Sequence, residues 1–310
     1  MARLENAQTQ ERFTLGARVL IGRGPEATLR VNHGRVSNEH AVIAFDGKSW
    51  SVRDLGSRNG TRLDGRSLAA GASTPLAAGA LLDFGGQSFR LIDDGPPLAM
   101  ARAGKRCNVA EDGILALPDL NDPVASIFAT RGARWLAEID GTPRYVNDGD
   151  VIEVDGIEWQ LELPPATALT IAEATMGTAA GGVRSLGAML ELQFWPSLDE
   201  ESVRVVMVFA DAQVEIPART SHLVLLHLAR ERLADAERGL SPAEQGWVYA
   251  EVLGDGLQMD PQRLNVEVYR ARKQLVQMGI ADAAELFERR PQTRQMRLGV
   301  ERLKVFEPTG

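Results

Sequence analysis

"GRVSNEHAVI", residues 34–43, sets Arg35, Ser37, Asn38 and His40 directly ahead of an apolar, β-branched run. Three readings are open: a nucleophilic pair, a loop that holds an anion, or an ordinary turn into a strand. A Ser–His pair needs an orienting acid and an oxyanion hole, yet Ser37 and His40 lie only three residues apart and no G-x-S-x-G elbow occurs. The nearby "DGKSW" has Val42 where a phosphate-cradling loop needs glycine, so it reads as a hairpin turn. His33, His40, His222 and His227 with the single Cys107 offer no zinc-like spacing. No catalytic set is present, and the chain is expected to be no enzyme and to need no metal or cofactor.

Outward from this motif, residues 12–92 alternate short runs such as "ARVLIG", "AVIAF" and "QSFRLI" with turn chemistry such as "GRGPE", "GSRNG" and "LDGRS". That spacing predicts an all-β sandwich. Residues 1–11 lack apolar periodicity and read as a flexible tail, and 93–104, "DDGPPLAMARAG", as a linker. The β pattern then returns. "AAGALLDFGGQSFRLI" (77–92) aligns without gaps with "NDGDVIEVDGIEWQLE" (147–162), and Ala41–Trp50 resembles Ala125–Trp135 with one residue inserted. Residues 105–163 therefore read as a diverged copy of the first domain. An Ala/Gly/Thr/Pro-rich stretch, 164–187, reads as a second linker.

From 188 to 310 the pattern becomes mixed. Three strands, "AMLELQFW", "VRVVMVF" and "QVEIP", precede helical periodicities over 219–236, 242–253 and 261–278, and a closing hairpin is built from "LFERR" and "QMRLGV". Strands, three helices and a terminal hairpin predict a winged helix, so the fold class is multidomain, mainly β and then α+β. With 44% hydrophobic residues each part can bury a core, and no apolar run approaches the ~20 residues a bilayer span needs. Without a signal-peptide pattern, a cytoplasmic protein without membrane contact is expected.

Anion binding suits the opening motif best, because Arg23, Ser37 and Arg58 all fall on loops at strand ends, which a sandwich gathers at one rim. "IGRG" with Gly22-Arg23, "VSNEHA" with Ser37 and His40, and "DLGSRNGT" with Asn59-Gly60-Thr61 together resemble a forkhead-associated (FHA) domain, over about residues 12–92. The resemblance implies a sandwich of about eleven strands that binds phosphothreonine peptides through loops at one end. It implies that Arg23 and Ser37 hold the phosphate, that Asn59 bonds the peptide backbone, and that Gly22, His40 and Gly60 shape the loops. Asn38 stands where the family is often basic, and Arg58 is the nearby charge that compensates. Arg35 stands where the family often reads the third residue after the phosphothreonine, which implies a preference for Asp or Glu there. The second copy has Asn121-Asp122-Pro123-Val124 in place of the Ser–His motif and only "DGTPRY" in place of "GSRNGT", so it reads as a degenerate FHA-like domain without the pocket.

In "MDPQRLNVEVYRARKQLVQMG", Leu264, Val268, Ala271, Leu275 and Met278 mark one buried helix face, with Asp260 as N-cap and Pro261 at the first position. The opposite face carries Arg263, Asn265, Glu267, Tyr269, Arg270, Arg272 and Lys273 and is expected to be solvated or to meet a ligand. Residues 263–304 hold ten basic against five acidic residues in a chain of net charge −8, a candidate phosphate-backbone footprint. The segment resembles the OmpR-type winged helix of response regulators, with departures at Ala271 and Glu267 and in a long connection between the first two helices. The resemblance implies a recognition helix in a major groove of double-stranded DNA, with the hairpin around Arg290 and Arg294 on the adjacent backbone. Arg263, Asn265, Arg270, Arg272, Lys273, Arg290 and Arg294 are the candidate contacts; an interaction-only winged helix is the other reading. The whole predicts a phosphothreonine-reading regulator partnered by a Ser/Thr kinase or its substrate. Phosphorylation of Thr9 or Thr170, captured by a neighbouring pocket, would give a homodimer.

Overall fold

The computed structural model describes residues 1–104, 106–130, 132–166 and 184–308. Of these, residues 1–100 with 161–166 form one compact unit, and residues 101–160 with 184–308 form another.

The first unit is built from β1 (Arg3–Asn6), β2 (Arg12–Thr14), β3 (Arg18–Gly22), β4 (Leu29–Arg30), β5 (Ala41–Phe45), β6 (Trp50–Asp54), β7 (Thr61–Leu63), β8 (Arg66–Ser67), β9 (Ser73–Leu76), β10 (Leu81–Phe84) and β11 (Gln87–Asp93). Two sheets run β2-β1-β11-β10-β7-β8 and β4-β3-β5-β6-β9. Because side chains alternate between faces along a strand, Ile21, Ile43, Trp50 and Val52 of one sheet meet Leu4, Leu82, Phe89 and Leu91 of the other in a shared core. The buried Trp50 also donates its indole N–H to the Gly95 carbonyl at 3.1 Å. This is the sandwich expected.

Two segments read as unstructured are part of it or follow it as strands. The expected flexible tail contains β1, which pairs antiparallel with both β11 and β2. Ala2 and Leu4 are fully buried, so two small apolar anchors and a free sheet edge outweigh the lack of longer periodicity. The expected linker 93–104 contains β12 (Met100–Ala103), where Met100 and Ala101 are fully buried.

The strands that follow are β13 (Arg106–Val109), β14 (Ile114–Leu117), β15 (Ala125–Ala129), β16 (Trp135–Ile139), β17 (Thr142–Val146), β18 (Val151–Val154) and β19 (Ile157–Glu162). They form the sheets β13-β12-β19-β18 and β14-β15-β16-β17. The internal repeat is visible in strand register. Leu82 pairs with Phe89 across β10–β11, and Ile152 pairs with Trp159 across β18–β19. Phe45 faces Trp50, and Ala129 faces Trp135, at the ends of the other two matching hairpins.

The remainder holds β20 (Glu191–Pro196), β21 (Val203–Val208), β22 (Gln213–Ile216), α1 (Ser221–Glu237), β23 (Val248–Tyr249), α2 (Ala250–Leu257), α3 (Pro261–Gln277), β24 (Phe287–Arg290), β25 (Gln295–Leu298) and β26 (Leu303–Val305). One sheet is β22-β21-β20-β26 and the other β23-β25-β24. The second helix is shorter than its periodicity suggested. Arg297 donates to the carbonyls of Pro242, Ala243 and Gln245, and the Gly246 amide donates to Asp235, which holds 242–246 as a turn. Helix α3 starts as expected, with the Asp260 carboxylate accepting from the Arg263 amide at 2.8 Å and Pro261 in the first turn. Residues 167–183 of the expected second linker lie outside the described residues. Its end does not behave as linker: Arg184 exchanges backbone hydrogen bonds with Gly279 and Ala281, and Leu186 is buried.

Leu264, Val268, Ala271 and Leu275 enter the C-terminal core with residues of α1 and the hairpin. The opposite face of α3 departs from expectation. Glu267, Tyr269 and Arg272 are buried, and Tyr269 packs with Ile114, Ala116 and Phe128 of β14 and β15. None of the described helices is long and apolar enough to cross a membrane.

Candidate functional site

Three loops at one end of the first sandwich carry the motif residues: those after β3, before β5 and between β6 and β7. Backbone bonds weld the first two together. The Arg23 amide donates to the Ser37 carbonyl at 2.8 Å and the Gly24 amide to the Asn38 carbonyl at 3.0 Å. That approach requires Gly22, since a Cβ there would overlap the Asn38 carbonyl oxygen and lie 2.8 Å from its carbon.

The third loop is tied to the second by side chains. The Ser37 hydroxyl accepts from the Arg58 amide at 3.1 Å, and the Asn59 amide group donates to the Arg35 carbonyl at 2.7 Å. His40, fully buried, spans the loops from below. Its Nδ1 accepts from the Ser37 amide at 3.1 Å, which leaves Nε2 as the protonated nitrogen donating to the Gly60 carbonyl at 3.2 Å. Burial holds the imidazole below its ordinary pKa, against the opposing pull of the Gly60 carbonyl and of Asp54 and Asp83. The neutral ring is therefore the structural form. Gly60 itself sits at φ +74°, in the left-handed region.

Two contributors went unrecognised in the sequence. Asp54 is buried, and its carboxylate accepts from the amides of Gly56 and Ser57 and from the hydroxyls of Ser57 and Thr61, at 2.6–2.9 Å. Burial opposes its charge, but these four donors hold the carboxyl below the usual range. The signal was the Asp itself, opening "DLGSRNGT" with a serine three residues on, which is the chemistry of a side-chain-closed turn. Gly85 is the second: a Cβ there would press on the Arg35 carbonyl, 2.9 Å from its carbon.

The scaffold leaves the charged groups outward. Arg23, Arg35 and Arg58 are exposed, as are Asn38 and Asn59. Among the described residues none of these three guanidinium groups has an ion pair within 4.0 Å. Cations without counter-charges around a hydroxyl and two amides make a rim suited to a dianion with hydrogen-bonding oxygens. Among the described residues no cluster of His, Cys, Asp and Glu could hold a metal ion.

The candidate residues of the C-terminal part are not gathered on one free face. Arg272 is 1% exposed and forms a two-pronged bond with Glu138 at 2.7 and 2.9 Å. Lys273 pairs with Glu111 at 2.8 Å, Arg270 with Glu267 at 2.9 Å, and Asn265 accepts from Arg289 at 2.9 Å. Arg290 stacks on Trp247, 4.1 Å from the ring centre. Arg263 and Arg294 are exposed.

The architecture is that of a two-sheet β-sandwich module whose loops at one end carry the motif residues. Residues 19–85 match the family model of the FHA domain, and the chain carries an FHA domain. It is 40% identical over 75 residues to the FHA domain-containing protein FhaB of Mycolicibacterium smegmatis, covering 24% of this chain and 48% of that protein. Over 73 residues it is 40% identical to FhaB of Mycobacterium tuberculosis, covering 23% of this chain and 47% of that one. The chain thus spans about half the length of these relatives. Similar solved structures include Mycobacterium tuberculosis EmbR in complex with a low-affinity phosphopeptide, with 25% identity over 31% of this chain and 25% of that chain and a TM-score of 0.29. Another is the FHA domain of CT664 from Chlamydia trachomatis, with 28% identity over 30% of this chain and 96% of that chain and a TM-score of 0.27.

Proposed function

We propose that this chain is a phosphothreonine-peptide-binding regulator that couples a Ser/Thr kinase to DNA binding and transcription control. One observation carries the first half: Arg23, Arg35 and Arg58, exposed and without an ion pair among the described residues, sit on the same three loops as the Ser37 hydroxyl, and those loops are locked by His40, Asn59 and Asp54. Arg23 and Ser37 hold the phosphate in this reading, Arg58 adds charge where Asn38 supplies only an amide, and Asn59 meets the peptide backbone. Arg35 selects an acidic residue three positions after the phosphothreonine. Residues 105–163 are then a degenerate FHA-like domain, supported by a hairpin register that repeats one of the first sandwich. Residues 188–310 are an OmpR-type winged helix, supported by the order of strands, helices and hairpin.

Fluorescence anisotropy of labelled peptides tests the reading. The full chain is expected to bind a phosphothreonine peptide, to lose most affinity for the unphosphorylated form, and to lose about 10- to 100-fold on Arg23→Ala, the worth of one charge-assisted hydrogen bond. Equal binding of both peptides sinks it. A second reading, a kinase-controlled adaptor that uses the C-terminal part for protein contacts alone, is favoured by the burial of Arg272 and Tyr269 on α3. Duplex binding that weakens steeply with salt would decide for the regulator.

A further inference from the structure

Helix α3 is covered on two sides, and the second cover has a distinct chemistry. Around the small apolar contact of Tyr269 with Ile114, Ala116 and Phe128, the helix meets carboxylates along its length. Gln262 donates to Asp122 at 2.7 Å, Arg272 to Glu138 at 2.7 Å, Lys273 to Glu111 at 2.8 Å and Gln277 to Asp112 at 3.1 Å. Arg289 of β24 adds a second cation to Glu138 at 3.3 Å. The donors from Gln262 to Gln277 extend for about 22 Å at 1.5 Å per residue. They face a matching row of four acidic side chains contributed by residues 111–138.

Such a seam is made of groups that water accepts on both sides once parted. A buried arginine–carboxylate pair stabilises a closed state less than apolar packing of equal volume would. Polar seams of this kind are typical of parts that separate.

We propose that the acidic row of residues 111–138 is an internal competitor seated on the donor face of α3, and that duplex nucleic acid is the external ligand for this face. The inference rests on the winged-helix reading given above. Phosphates and carboxylates ask for the same donors, so the two occupants exclude each other. The apparent affinity for a duplex falls with the fraction of molecules that are open.

The test uses the full chain, a labelled mixed-sequence duplex, anisotropy at low and moderate salt, and hydrogen exchange of α3. Glu111→Gln with Asp112→Asn and Asp122→Asn removes the rim of the competitor and leaves the buried Glu138 pair intact. Glu26→Gln with Glu237→Gln and Glu307→Gln makes the same charge change elsewhere on exposed positions. The rim variant is expected to bind the duplex about tenfold or more tighter than the control, with faster exchange in α3, because one ion pair and two amide–carboxylate hydrogen bonds are weakened together. Equal binding by the native chain and both variants, falling with salt, would overturn the competitor and keep the DNA-binding reading. Faster exchange in α3 with no duplex bound by any form would overturn both.

Discussion

Gly22→Ala is the sharpest test of how the phosphate rim is held. The new Cβ would lie 2.8 Å from the Asn38 carbonyl carbon, where ordinary contact begins at 3.4 Å, and closer still to the oxygen. Neither atom is the end of a flexible side chain, so the loops must part by about 0.6 Å or more, roughly the shortfall from normal packing. That displacement carries the Arg23–Ser37 and Gly24–Asn38 hydrogen bonds, now 2.8 and 3.0 Å, to the edge of hydrogen-bonding distance. At about 0.5–1.5 kcal/mol each, their loss costs about 1–3 kcal/mol. In a domain of this size that lowers the midpoint of thermal unfolding by about 4–24 °C. Arg23 and Ser37 also move apart, so phosphopeptide affinity should fall about tenfold or more, the worth of one misplaced charge-assisted bond. Gly34→Ala is the control, in the loop before Ser37 with nothing within 4 Å of its Cβ position. Calorimetry and anisotropy on both variants read the difference; matching behaviour of Gly22→Ala and Gly34→Ala would refute the reasoning.

Three further outcomes follow from the same geometry. Asp54→Asn replaces an acceptor of four bonds by a group that must turn a donor toward them, and should cost about 1–3 kcal/mol in urea unfolding; an unchanged midpoint would remove Asp54 from the scaffold. His40 has a folded pKa below its ordinary 6.5, so the unfolded chain binds the proton better. Its contribution is complete above that value and declines as pH falls through it toward the folded pKa; subtracting the profile of His40→Asn isolates the slope, and identical profiles would contradict the neutral-imidazole role. Glu138 is held below the usual carboxyl range: burial works against its charge, but Arg272 and Arg289 prevail. Its stabilisation is present above the unfolded value and is lost as pH falls through the folded one, and Arg272→Ala should destabilise the second unit by about 3 kcal/mol.

Much of the fold was legible because it is local. Glycine turns between β-branched runs located the sandwich strands, and the repeat of 77–92 in 147–162 survives as one hairpin register built twice. The rim was legible for a related reason. Arg23, Ser37 and Asn59 lie on separate loops, and each sits in a short motif of its own that neighbours in sequence define. The strand Arg3–Asn6 was not legible, since four residues give too short a window for alternation and its partner, Gln87–Asp93, lies far along the chain. Asp54, the last residue of its strand, carries a local signal in the serine three residues on, but nothing in the sequence marks the Thr61 hydroxyl as its other partner.

Helix α3 shows where a one-dimensional pattern stops informing. The spacing of Leu264, Val268, Ala271 and Leu275 identifies one buried face correctly, and it makes Glu267, Tyr269 and Arg272 the exposed one. Periodicity counts apolar side chains, so a face buried by ion pairs looks the same as a face in water. What distinguishes them here is Glu138, more than a hundred residues earlier, placed on β16 between Ser126 and Pro143 of the neighbouring strands. The acidic residues that neutralise α3 are spread over the segment 111–138, where none of them forms a motif. A basic helix in an acidic chain therefore states only that anionic groups will sit against it, and here these are the chain's own carboxylates. A Glu138→Gln variant, in which the buried Arg272 loses its charged partner, should therefore unfold at lower denaturant than the native chain, and an unchanged midpoint would show that the carboxylate is not what holds this face.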